Sequence, residues 1–413
     1  MEENDKYRYF ARINEAFTPE APINSRELFA GRVRERERVI NTIFRRGAHA
    51  VLFGERGVGK TSLATTIFDF LVAVLGEANY AIARVTCSAT MNFEAIWKSI
   101  FRELAVEYED KELTLDSWLE ANPHAENVRQ TIGVLSNPSI LVIDEFNEIR
   151  DPATKKALAD TIKTLSDNST NTTLIIVGVA DSIDELIADH ASIDRALSQI
   201  KMPRMSKKEL LEIVDNGMTR CELTVESDVR HRLADYSQGL PTYTHLLARE
   251  SAICAVRDGR THITLEDLRD AIKESVDNQL GTHLTAYMEA VSAPRAKYFK
   301  PVLLACALAK KDERGFFYAT NVTEPFRTIT GKDYKIPAFA KTLRDFSSKR
   351  GPILEQVGRK YRFRKPLMEP FILLRGLADN LIRENQLTRP SASASEPEQL
   401  SLLSFFAAPE LKP

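Results

Sequence analysis

Two segments of this sequence carry residues whose types and spacing suit phosphate chemistry. The first is Gly54-Glu55-Arg56-Gly57-Val58-Gly59-Lys60-Thr61-Ser62, which fits the pattern G-x-x-x-x-G-K-[ST]. Its glycines let successive backbone N–H groups converge on phosphate oxygens, and a helix opening behind them adds positive potential. Lys60 is placed to reach the β- and γ-phosphates of a nucleotide, and the Thr61 hydroxyl to ligate Mg2+. The second is Ser139-Ile-Leu-Val-Ile-Asp144-Glu145, an apolar strand ending in two carboxylates. Asp144 would orient Mg2+ through water, and Glu145 would polarise an attacking water as general base. The bland alternatives are a chance glycine-rich turn and a strand ending in surface acids. An apolar run before the first motif, a helical pattern after it and the presence of the second motif outweigh both.

A third segment is charged rather than patterned. Between Lys341 and Lys365 stand nine cations, Lys341, Arg344, Lys349, Arg350, Arg359, Lys360, Arg362, Arg364 and Lys365, against Asp345 and Glu355, in a chain whose net charge is −2. The segment spans a helical pattern (Pro337–Ser348) and two short strand patterns (Ile353–Val357 and Arg359–Arg364) joined at Gly358. Helix-turn-helix followed by a hairpin is the outline of a winged helix. Alternation in the second strand puts Lys360, Arg362 and Arg364 on one face. A helix in the major groove with a basic hairpin on the flanking backbone needs this arrangement, so duplex DNA is the expected partner. The alternatives are a solvated basic face or a face docked on an acidic partner.

The elements that must position these residues alternate. Apolar runs at Ala50–Phe53, Tyr80–Val85, Ile140–Ile143, Thr173–Val179 and Gln199–Met202 are separated by helical patterns at Thr61–Leu75, Phe93–Glu107 and Pro152–Leu165. Continuous apolar strands between helices predict a parallel sheet covered on both faces, the doubly wound α/β class. Residues 1–27 read as a polar, extended arm, and 28–205 as the phosphate-binding domain. Four helices predict a helical lid over 206–278, with Ser206 and Thr264 as N-caps, each followed three residues later by Glu209 or Asp267. Residues 279–386 read as the winged helix, and 387–413 as a disordered tail. The chain has 413 residues, 43% of them apolar and 28% charged, with no apolar run long enough to span a bilayer. Cys87, Cys221, Cys254 and Cys306 form no CxxC pair, so neither a zinc site nor a disulfide framework is expected. A reducing, cytoplasmic setting is the expectation.

The chain resembles AAA+ ATPases, and more narrowly the branch near origin-recognition initiators and STAND-type switches. The residues that carry the resemblance are Leu28–Arg32, Gly54–Ser62, Ile143–Glu145, Thr173–Asp181 and Gly239-Leu240-Pro241. The resemblance implies ATP as the nucleotide, with Arg32 in the segment beside adenine. It implies a sensor at the end of the strand Thr173–Val179, where Asp181 replaces the usual Asn. It also implies self-association through an arginine offered to a neighbour's site, with Arg195 the better match and Arg204 the rival. In the lid, Thr242 replaces the arginine such proteins carry in Gly-x-x-Arg, and Gly-x-Pro is similar to STAND switches. The implied activity is slow ATP hydrolysis in a nucleotide-gated switch that engages DNA. The alternative is a regulatory ATPase whose winged helix binds protein.

In the tail, Gln399, Leu400, Leu402, Leu403, Phe405 and Phe406 form an apolar island. It resembles sliding-clamp ligands of both the bacterial and the Qxx[ILM]xx[FY][FY] type, which implies a clamp partner reached through the linker Thr388–Glu398. A tail that packs back on the body is the alternative. His245 could sense nucleotide, or be an ordinary core histidine.

Overall fold

In the computed structural model, which describes residues 1–23, 25–75, 80–108, 111–180, 193–292 and 298–384, the centre is a five-stranded parallel sheet. Its strands are β1 (His49–Gly54), β2 (Ala81–Thr86), β5 (Ser139–Asp144), β6 (Thr172–Val179) and β7 (Leu197–Lys201). A small antiparallel hairpin, β3 (Ala105–Tyr108) and β4 (Lys111–Thr114), intervenes in the chain. The sheet order is β2-β5-β6-β1-β7. β1 pairs with β6 on one side and β7 on the other, all parallel. Every residue of β1 and β5 is buried, which is why these strands read as unbroken apolar runs. Ala50 and Leu52 face one helix layer with Val39, Leu63 and Ile67. Val51 and Phe53 face the other, with Trp97, Phe101, Leu158 and Ile162.

Two expectations need correction. The helix expected over Phe93–Glu107 stops at Arg102, and the chain turns into β3. Nothing local marks the stop. Leu104 and Leu115 are both buried and joined by a backbone hydrogen bond of 2.9 Å, so packing overrides helix propensity here. Nor is the N-terminus an extended arm: Glu3–Ala16 is a helix. Its Tyr9, Phe10, Ile13, Ala16 and the following Phe17 recur at helical spacing and pack into the main core.

That first helix lies on the lid, helices Lys207–Cys221, Ser227–Tyr236, Pro241–Arg257 and Leu265–Glu274. Ser206 and Thr264 are N-caps in reciprocal boxes with Glu209 and Asp267. The two-residue strands β8 (Thr224–Val225) and β9 (His262–Ile263) pair within the lid. The C-terminal unit follows: helices Gly281–Val291 and Phe299–Leu308, β10 (Phe317–Tyr318), helices Ala319–Thr330 and Pro337–Ser348, β11 (Leu354–Val357), β12 (Lys360–Phe363) and helix Met368–Ala378. Its three strands are antiparallel in the order β10-β12-β11, with Gly358 at φ +60° in the hairpin turn. Neither β10 nor the last helix is evident from sequence alone. Among the described residues no helix is long and apolar enough to cross a membrane.

The seat of the first helix yields a test. A Cβ on Gly217 would fall 2.2 Å from Phe17 Cζ. Alanine gains ~1 kcal/mol over glycine in a free helix, yet Gly217→Ala is expected to destabilise the protein by about 1–3 kcal/mol through overpacking. Urea unfolding measures the loss, and limited proteolysis between residues 17 and 27 should accelerate in the variant.

Candidate nucleotide site

β1 delivers the phosphate loop to the C-terminal edge of the sheet. Gly54 has φ +150°, and a Cβ there would sit 2.4 Å from the Met202 carbonyl oxygen, so this position demands glycine. Gly57 and Gly59 have φ of +87° and +90° before the helix Lys60–Leu75 begins. Lys60 Nζ folds back on the loop, donating to the carbonyls of Gly54 (3.0 Å) and Glu55 (2.7 Å). Burial pushes its pKa down to about 8, against the pull of Asp144 and Glu55. Phosphate oxygens are better acceptors for a buried ammonium than two carbonyls. Arg56 is exposed beside it, while Ser62 Oγ accepts from the Ile23 amide at 3.1 Å.

The acidic strand end meets the loop as expected. Thr61 Oγ1 donates to Asp144 Oδ1 at 3.3 Å, and Asp144 is buried. Hydroxyl and carboxylate oxygen thus converge, the donor pair a Mg2+ ion shares with a triphosphate. Sequence reasoning missed the other partner of Asp144: Arg84, on β2, donates to Asp144 Oδ2 at 2.6 Å and to Thr65 Oγ1 at 2.7 Å. Arg84 aims the carboxylate, leaving Oδ1 toward Thr61. Glu145 is exposed, with φ +52°, and its amide donates to Asp144 Oδ1 at 2.8 Å. The left-handed backbone turns its side chain off the strand direction. The next turn is fixed to β6, where the Val179 amide donates to Asn147 Oδ1 at 2.8 Å.

On the other side of the loop a cavity is lined by Thr18, Pro19 and Ile23 from the N-terminal segment, by Phe29, and by Pro241 and His245 from the lid. The N-terminal contribution was not foreseen; its signal was the helical spacing that ends at Phe17. His245 is buried, its Nδ1 has no hydrogen-bond partner, and burial followed by Arg249 lowers its pKa to about 4. The ring is therefore neutral at physiological pH.

Arg32 borders this cavity but is committed to the protein. Its Nη2 donates to the carbonyls of Val58 (2.8 Å) and Pro203 (2.6 Å), and its own amide donates to Glu209 Oε1 at 2.9 Å. One left-handed residue thus ties loop, sheet edge and lid, and supports the site through the loop backbone. The Gly-Leu-Pro corner also touches the loop: Thr242 Oγ1 lies 3.4 Å from where a Cβ on Gly57 would be, and Pro241 Cγ 3.9 Å from one on Gly59.

Arg195 sits in the turn before β7, at the edge of the sheet opposite the phosphate loop. It is exposed and ion-paired with Asp167 at 2.8 Å. Its rival Arg204 is largely buried: its Nε donates to Glu55 at 2.9 Å and its Nη1 pairs with Glu369 at 2.9 Å. Arg204 therefore serves its own chain. Asp181 and the tail residues Gln399–Phe406 lie outside the described residues.

The basic segment divides in two. Lys341, Arg344, Lys349 and Arg359 are exposed. Arg350 caps the Phe299 ring at 3.9 Å and donates to the Ala290 and Ser292 carbonyls. Lys360 pairs with Asp312 at 2.9 Å, and Arg362 with Glu355 at 2.7 Å. Arg362, half-buried, and Arg364, exposed, border a cavity beside the phosphate loop. Alternation placed them correctly; what lies opposite them was not legible locally.

A glycine loop after the central strand β1, an acidic strand separated from it by one strand, and a helical lid define a P-loop nucleoside triphosphatase with the AAA+ sheet order. The sequence profile described as Novel STAND NTPase 1 matches residues 16–345. The chain belongs to that family. Its fold is similar to the ORC2 protein of Aeropyrum pernix in ADPNP–ADP complexes, at 13% identity and TM-score 0.50, covering 91% of this chain and 97% of that one. It is also similar to the Walker-type ATPase of Pyrococcus abyssi, at 14% identity and TM-score 0.50, covering 86% and 98%. No curated protein matches the chain in sequence.

Lys60 must be charged to hold phosphate. In the nucleotide-free protein its charge is full below its lowered pKa of about 8 and is lost as pH rises through that value. Affinity for nucleoside triphosphate is therefore expected to be flat below pH ~7 and to fall by up to about tenfold per pH unit above ~8. Calorimetry in buffers of differing ionisation enthalpy should show proton uptake on binding at about pH 9 and none at about pH 7.

Proposed function

We propose that the protein is a Mg2+-dependent ATPase switch in which the nucleotide on the Lys60 loop sets the position of the C-terminal unit, read as a winged helix, on duplex DNA. The observation that carries this reading is the docking of that unit on the loop itself. Leu367 Cδ2 lies 2.9 Å from the Cβ position of Gly57, Tyr243 Oη donates to the Leu367 carbonyl at 2.6 Å, and Glu369 holds Arg204. A triphosphate entering the loop must push against, or bond to, the unit that covers it. ATP is the nucleotide the AAA+ resemblance implies. The units are a phosphate-binding domain over 28–205, a lid over 206–278 that also carries the first helix, and the winged helix over 279–386.

In this reading the loop amides and Lys60 hold the β- and γ-phosphates. Thr61 and Asp144 hold Mg2+, which supplies charge neutralisation along the phosphates. Glu145 polarises the attacking water, and Asp181 is the sensor that the AAA+ resemblance implies. Arg195, exposed at the opposite sheet edge, is the residue offered to a second copy of the chain. Glu145→Gln is expected to keep ATP affinity and lower turnover by about 100-fold or more; an unchanged rate would remove Glu145 as the base.

DNA contact rests on the outward face of the helix Pro337–Ser348, where Lys341 and Arg344 are exposed opposite buried Phe339, Leu343 and Phe346, with Lys349 and Arg359 nearby in sequence. Four phosphate contacts predict a slope of log affinity against log salt of about −3 to −4. Lys341→Glu with Arg344→Glu should reduce both affinity and slope and abolish DNA stimulation of ATP turnover. The engagement of Arg350 and Arg362 by the protein itself supports a second reading, a regulatory ATPase whose winged helix binds protein; under it, turnover does not respond to DNA. A sliding clamp as partner rests on Gln399–Phe406 alone, and a titration with a peptide of residues 396–408 tests it.

A further inference from the structure

Arg84 joins the two elements that carry the metal-side oxygens. One arm of its guanidinium donates to Asp144 Oδ2 on β5 at 2.6 Å, and the other to Thr65 Oγ1 at 2.7 Å. Thr65 lies on the helix Lys60–Leu75, one turn beyond Thr61, and its hydroxyl donates back to the Thr61 carbonyl at 2.8 Å. One planar fork therefore spans both residues suited to a metal, Asp144 directly and Thr61 through its own helix. Arg84 is itself fixed: its amide donates to Glu103 Oε2 at 2.7 Å, and β2 pairs in parallel with β5 from Ala81 to Thr86.

The bonds to the Asp144 carboxylate are unequal. Arg84 takes Oδ2 at 2.6 Å and the Glu145 amide takes Oδ1 at 2.8 Å, while the Thr61 hydroxyl reaches Oδ1 only at 3.3 Å. The two short bonds fix the carboxylate. The long one is the bond that a cation shared by hydroxyl and carboxylate would replace. With Oδ2 held by a guanidinium, Asp144 offers one oxygen. A single carboxylate oxygen suits Mg2+, which demands near-ideal octahedral geometry and short bonds. Ca2+ takes more oxygens at longer distances and often binds a carboxylate through both. The guanidinium is not needed to join the strands, because the backbone ladder of β2 and β5 already does so.

We infer that Arg84 is a positioning residue for the metal: by spanning Thr65 and Asp144 it holds the Thr61 hydroxyl and a single Asp144 oxygen at the spacing of a small divalent cation, so that the site selects Mg2+ over Ca2+ when nucleotide binds. This rests on the reading of the loop as a site for nucleotide with Mg2+. Removing the fork frees Oδ2 and releases the helix Lys60–Leu75 from β5 at this point. Both changes favour the larger ion, which tolerates irregular geometry and a bidentate carboxylate. The lost positive charge acts alike on any divalent cation, so it alters the affinity for both ions and leaves their ratio to the geometry.

The test is the affinity of the full chain for a fluorescent, non-hydrolysable ATP analogue, titrated once in saturating Mg2+ and once in saturating Ca2+. The unaltered protein is expected to bind the analogue about tenfold more tightly with Mg2+, and Arg84→Met to bring the two affinities within about threefold of each other. Arg84→Lys keeps the charge without the fork and should restore only part of the preference. Thr65→Val removes one anchor and leaves Arg84 and Asp144 in place. It carries the same test where Arg84→Met does not fold, and should move the ratio in the same direction. No preference in the unaltered protein, or a preference undiminished in Arg84→Met or Thr65→Val, overturns the inference. Full recovery by Arg84→Lys assigns the effect to charge alone and overturns it as well. Lys60→Ala separates the two levels: it should weaken the analogue with either ion, and if it weakens it with neither, the loop is not the nucleotide site and the inference falls with it.

Discussion

Arg204 is the point on which the arrangement turns. Its guanidinium joins Glu55 of the phosphate loop, the Gln238 carbonyl of the lid and Glu369 of the last helix. Burial works against its charge, and Glu369 and Glu55 outweigh that penalty, so its pKa rises above the ordinary arginine value. Removing any one partner of such a network leaves the others buried without compensation. Gly239 is shaped by the same residue, since a Cβ there would fall 2.7 Å from Arg204 Cβ. The Gly-Leu-Pro corner is therefore built around Arg204 and, through Pro241 and Thr242, rests on the loop glycines. A chain segment immediately after the sheet thus decides where both following units sit.

Arg32 plays the matching part on the near side. It links Val58 in the loop to Pro203 and, through its backbone, to Glu209, which also caps the first lid helix at Ser206. Two arginines thus hold the two sides of the loop, and each is tied to the lid. The loop is connected to the lid by direct hydrogen bonds. The acidic strand is braced in a different way. Arg84 holds Asp144 from the neighbouring strand, so the oxygen that meets Thr61 is oriented by the sheet.

What could be read from sequence follows from how local each feature is. The phosphate loop, Asp144 and the Ser206 and Thr264 caps are encoded within a few residues of themselves. The strands were legible because burial on both faces makes them uniformly apolar. The first helix was not, because Tyr9, Phe10, Ile13 and Phe17 are diluted by charged neighbours and find their partners in the lid some 200 residues later. Arg84, Arg204 and Glu369 act through pairings between distant segments that no local pattern announces. The hairpin of Lys360, Arg362 and Arg364 shows the boundary most clearly. Period-two alternation assigned the correct face, but the identity of the surface opposite it is a property of the assembled molecule.

The separation of the first helix from its seat has a consequence during synthesis. Ile13, Ala16 and Phe17 leave the ribosome early, while the lid surface that buries them, around Gly217 and His245, follows only after the whole sheet has been made. At translation rates of about 5–20 residues per second, that apolar stripe waits roughly 10–40 s for its partner. Over that interval the stripe is exposed or packed elsewhere, and the cavity wall of Thr18, Pro19 and Ile23 forms late although its residues are made first.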